Sequence, residues 1–218
     1  TFGLHRFVWD LTHPGPWDAN PRRSARNGPM VLPGTYTVRL RAGGMTDTQP
    51  LVVRSDPRVL GDGVDLPVLS EQLVHNLCVR DLVTEVNVAV ARVQAAAKAA
   101  RAAAPPDRET LRRLGTIESR LTTPSIRYSR PGLQAQIQYL YSASMGADQR
   151  VGRDARVRYQ VLRSELDSVL REMRALAGDP SPGTSFQSGK EEVRRTFSMP
   201  KVRRGNRVDA PTWVLIQF

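Results

Sequence analysis

Through the middle of the chain the apolar residues Val79, Val83, Val86, Val90, Val93, Ala97 and Ala100 recur at alternating steps of four and three, the spacing that lines one face of an α-helix. The pattern predicts one long helix from about Leu66 to Ala104. Pro105-Pro106 ends it, because proline supplies no amide donor and its ring clashes with the preceding turn. The last third, AAAKAARAAA, joins high helix propensity to side chains small enough for a neighbouring backbone to approach closely. Asp107 stands where an N-cap is expected, ahead of Leu111, Leu114, Ile117 and Leu121 on a second helix. After a loop with two prolines over Thr122 to Pro131, Leu133, Ile137 and Leu140 mark a third. A fourth, from about Asp148 to Ala177, repeats the same spacing through Ala155, Tyr159, Leu162, Leu166, Val169, Met173 and Leu176, with Gly178 as its cap. Two stripes of matching length, joined by two shorter amphipathic helices, predict an antiparallel helical bundle over residues 67–177.

Ahead of the helices the period drops to two. Phe7, Trp9 and Leu11 alternate with polar or outward positions, and so do Tyr36, Val38 and Leu40, which is the pattern of strands with one buried face. Pro33-Gly34 fits a type II turn that starts the second strand, Gly43-Gly44 suits a tight hairpin, and Leu51 to Arg54 reads as the return strand, closed by Asp56-Pro57. Residues 1–58 are therefore expected to form an antiparallel β module, interrupted by a long loop from Thr12 to Asn27, with a Gly/Asp-rich linker at 59–66. The fold class expected is α+β: a partial immunoglobulin-like β module, then the bundle, then an extended basic tail over 178–218. An immunoglobulin-like sandwich needs about seven strands, and three are secure here. The strand-forming segment from Thr212 to Phe218 is expected to pair with the exposed sheet edge or to enter a partner.

The stretches GLHRFVWDL, GPMVLPGTYTVRL and TQPLVVRSDPRV, in that order and spacing, resemble the C-terminal immunoglobulin-like module of bacterial Asp-box (BNR-repeat, sortilin-like) propeller proteins, which are often labelled glycosyl hydrolases. RPGLQAQIQYLYSASMGADQ and RYQVLRSELDSVL are similar to the helical segment that follows it in that family, so the resemblance spans roughly Thr1 to Leu176. The Asp-box repeats and the residues of a glycosidase site are absent from this sequence, so the hydrolase label transfers to none of its positions. The resemblance implies a module working within a larger architecture, and one host it suggests is a respiratory or photosynthetic membrane complex.

Charge and cysteine content narrow the picture. The 218 residues carry a formal net charge of +11, which favours an anionic partner: nucleic acid, lipid headgroups or an acidic protein surface. The single cysteine, Cys78, excludes an internal disulfide or a multi-cysteine metal site and reads as a small buried hydrophobe. No run of apolar residues is long enough to span a bilayer. The sequence opens at Thr1 rather than methionine, and a removed signal peptide fits a periplasmic or exported protein.

Candidate chemistry is sparse. His5, His13 and His75 stand far apart, and the sequence contains no phosphate-cradling glycine loop, dinucleotide fingerprint or nucleophile elbow. Asp10, Asp18, Asp47 and Asp56 fall at strand ends and turns, where Asp bonds backbone amides more readily than it forms a glycosidase pair. No catalytic, cofactor or metal residue is assigned. Partner-binding residues are expected in two places. The first is the Thr12–Asn27 loop, with Trp17, Arg22 and Arg23. The second is the tail, with Arg194, Arg195, Arg203, Arg204 and Arg207 followed by Trp213, Ile216 and Phe218. The leading expectation is a non-catalytic structural subunit that braces protein partners, peripheral to a membrane and in contact with anionic headgroups. A carbohydrate-binding accessory module, with Trp9 or Trp17 as its platform, is the alternative. RNA binding through the arginine-rich tail ranks third.

Overall fold

The computed structural model describes residues 6–40 and 45–177, and the backbone of 41–42 and 213–215. It is a mixed α+β chain, mostly helical. Strands β1 (Gly34–Ala42) and β2 (Met45–Val53) form an antiparallel pair, and a third strand, β3 (Trp213–Leu215), adds in parallel to the other edge of β1, giving the order β2-β1-β3. In that register Tyr36 faces Trp213 and Val38 faces Leu215. Pro50 lies within β2, and the strand is at the sheet edge, the place where a residue without an amide donor is tolerated.

Five helices follow: α1 (Pro57–Gly61), α2 (Leu66–Ala102), α3 (Arg108–Leu121), α4 (Leu133–Ser144) and α5 (Arg153–Leu176). Local chemistry sets their starts. The Asp65 carboxylate accepts from the Val68 amide, and the Asp107 carboxylate from the Thr110 amide at 3.0 Å, each satisfying an amide that a helix start leaves without a partner. The short α1 occupies part of the stretch expected as linker, with Asp56 accepting from the Arg58 amide at 2.9 Å.

The chain divides into two compact units, residues 6–33 with 53–176 in one and 34–52 with β3 in the other. In the first, α2 packs against α3, α4 and α5 around one apolar cluster. Val79, Val83, Val86, Val93 and Ala97 of α2 are buried in it, as are Leu162, Leu166 and Val169 of α5. Leu82 and Ala89 are buried too, so the face of α2 is wider than a single stripe because three helices cover it.

Four local expectations need correction. Residues 6–11 form no strand: the backbone is irregular and Leu11 takes a φ of +60°, outside the strand region. In β1 only Tyr36 of the alternating set is buried, and Leu40 is 53% exposed, so alternation marks the strand here without marking a buried face. Gly34 starts β1 without the positive φ that a type II turn at Pro33-Gly34 requires. Cys78 is exposed, displaced around α2 from the buried Val79 and Leu82.

Candidate interaction site

The Thr12–Asn27 loop is a built structure. Its two arms run antiparallel: the His13 amide donates to the Pro29 carbonyl at 2.8 Å, the Gly15 amide to Ala25 at 2.9 Å, and the Ala25 amide to Pro16 at 2.9 Å. The arms approach so closely that a Cβ on Gly28 would lie 1.7 Å from the His13 carbonyl oxygen, which only glycine avoids. Side chains of α2 and α4 then hold the loop by its backbone. The Trp17 amide donates to Thr84 Oγ1 at 3.1 Å, and its carbonyl accepts from Asn87 Nδ2 at 2.8 Å. Arg80 donates to the Pro14 carbonyl at 3.3 Å, and the Tyr141 hydroxyl to the Asn27 carbonyl at 2.8 Å. Gln134 completes the set by donating to Asn87 Oδ1 at 2.8 Å. Burial pushes the Tyr141 hydroxyl up to about 12, so it stays a donor at any physiological pH.

Of the residues expected here to meet a partner, Trp17 is 39% exposed although its main chain is pinned. Arg22 is exposed, and Arg23 forms a two-point ion pair with Asp18, both contacts at 3.1 Å. Trp9, the other aromatic of a possible sugar platform, donates its indole N–H to the Thr12 carbonyl at 3.3 Å. Arg194, Arg195, Arg203, Arg204, Arg207, Ile216 and Phe218 lie outside the described residues, and Trp213 is described only as backbone in β3. The loop anchors Arg80, Thr84, Asn87 and Tyr141 were missed from sequence. Asn87 carried a faint signal, an amide among apolar neighbours on the buried face of α2.

Two apolar surfaces face solvent. On the strand pair, Leu40, Met45, Leu51 and Val52 are exposed, and every residue of β2 except Val53 is open to solvent. Between α4 and α5 lies a cleft of about 1020 Å³, with Tyr139, Val157 and Val161 on its walls.

The carboxylates considered for catalysis are engaged locally. Asp10, Asp18, Asp47 and Asp56 each accept from a backbone amide one or two residues on. Among the described residues no three His, Cys, Asp or Glu side chains converge as a metal site, and no helix is long and apolar enough to cross a membrane. Comparison of the chain with protein-family models, curated proteins and solved structures finds no match.

Proposed function

We propose that this chain is a non-catalytic structural subunit that braces a larger assembly through protein contacts, at the periphery of a bacterial membrane complex on its exported face. The observation that carries this reading is the β1–β2 pair. Two nine-residue strands that leave Leu40, Met45, Leu51 and Val52 in water bury too little to justify themselves, since strand pairs gain stability mainly by covering a face. The outer edge of β2 also offers main-chain groups to a further strand. On this reading the strands belong to an incomplete immunoglobulin-like module, completed by the partner, and the helices form an antiparallel bundle with a core of its own. The resemblance to the Asp-box module and the charge of +11 point the same way.

Native purification followed by mass spectrometry tests the reading, with Leu40→Asp/Val52→Asp as the variant. Both positions are exposed, so the melting temperature should hold while the co-purifying proteins are lost. A wild-type chain that purifies alone, or a variant that keeps every partner, would sink the proposal.

A second reading, a carbohydrate-binding accessory module, draws on the exposed ring of Trp17 held on a fixed backbone. Glycan binding by the isolated chain that disappears in Trp17→Ala would favour it over the first.

A further inference from the structure

The turn between α3 and α4 reads TTPSIRYSRPG from Thr122 to Gly132, eleven residues with two arginines and no carboxylate. Its base is tightly closed. The Gly132 amide donates to Thr123 Oγ1 at 2.9 Å, and a Cβ on Gly132 would lie 2.4 Å from the Thr122 carbonyl carbon. Ser129 Oγ donates to the Pro124 carbonyl at 2.9 Å, and the Ser129 amide to Ile126 at 3.1 Å. A compact loop with adjoining ends usually packs on its own side chains, yet here the tip points away. Ile126 is 74% exposed and Tyr128 89% exposed. Tyr128 also takes a φ of +63°, a conformation unfavourable for a bulky residue, with no burial in the chain to offset it. Arg127 lies over the Tyr128 ring at 5.1 Å, and among the described residues neither Arg127 nor Arg130 has a carboxylate partner.

We infer that this loop is a membrane-docking tip, with Ile126 and Tyr128 entering the headgroup and acyl boundary of an anionic bilayer while Arg127 and Arg130 contact lipid phosphates. The chemistry fits each part: an aliphatic anchor below, an aromatic ring with a polar end at headgroup depth, and two arginines with no carboxylate partner among the described residues, in a loop without a carboxylate to repel the surface. An acidic protein surface fits less well. A stable protein contact engages roughly 800 Å² on each side, whereas a bilayer accepts a protruding tip of two or three side chains. The inference rests on the peripheral-membrane part of the proposed function, but its test requires no host complex.

The full chain has one cysteine, so Cys78→Ser/Ile126→Cys carries a single environment-sensitive NBD label at the tip. Vesicles of phosphatidylcholine with 30% phosphatidylglycerol should shift its emission to the blue, and pure phosphatidylcholine vesicles should leave it unchanged. In the unlabelled chain, Arg127→Gln/Arg130→Gln should weaken binding to the anionic vesicles by about 25-fold, about 5-fold for each charge. Arg112→Gln/Arg113→Gln, at two exposed arginines already paired to Glu109, should lose clearly less. An unshifted label on vesicles that bind the protein, an equal loss in both arginine pairs, or binding to neither vesicle would overturn the inference. Partner proteins retained alongside any of these results would remove the membrane tip and leave the structural-subunit reading standing.

Discussion

Asn87 shows how much one side chain can organise. It is 6% exposed on α2 and spends both ends of its amide across a tertiary contact, donating to the Trp17 carbonyl and accepting from Gln134. Asn87→Leu would keep the volume but remove two partly buried hydrogen bonds, each worth about 0.5–1.5 kcal/mol. Urea melts should show that loss, with faster amide exchange confined to residues 12–27. His13 tests the same region by pH. Burial and the nearby Arg80 cation both hold its imidazole below the usual 6.5; His75 is likewise lowered, by burial and by Arg156 against the opposing Glu71. A histidine that resists protonation when folded lets the unfolded chain bind more protons in acid. Its stability contribution is therefore complete above about pH 6.5 and falls as the pH drops below that. The melting temperature should decline between pH 7 and pH 5, and His13→Gln/His75→Gln should flatten the decline. A wild-type profile that rises on acidification would contradict the burial of both rings.

Among elements, the helices were the most legible in sequence and the strands the least, for physical reasons. A helix is set by contacts three and four residues away and by caps within one turn, so the stripe from Val79 to Ala97 announces α2 locally and the carboxylate of Asp107 announces α3. The front alternation of Phe7, Trp9 and Leu11 looked equally clear, but a strand exists only with a hydrogen-bonded neighbour. Leu11 turns left-handed, while Phe7 is 55% exposed. The loop pins were barely legible: Thr84 looks like an ordinary polar interruption, and the amide of Asn87 on an apolar face names no partner until Trp17, 67 and 70 residues away, is placed beside them. The element most open to challenge is the shared core of α2 and α5. Val86→Asp or Leu166→Asp would set an unpaired charge at a fully buried position, costing several kcal/mol. Circular dichroism should show helicity melting far earlier in both; native melting in either would show that the cluster is not a cooperative core.

For the molecule as a whole, the pinned loop carries a consequence for the order in which the chain is made. Its anchors lie 66 residues downstream at Arg80 and 114 residues downstream at Tyr141. At a synthesis rate of roughly 5–20 residues per second, the Asn27 carbonyl waits roughly 6–23 seconds for the hydroxyl that will hold it. During that interval the Trp17 ring and the arginines at 22, 23 and 26 are open to chaperones and proteases. Nascent chains halted before α4 should be cut by trypsin at these arginines, whereas chains released with α4 and α5 in place should resist. Protease sensitivity along the nascent chain would thus run against the direction of translation, the stretch made early being secured only after the helices made later have come together.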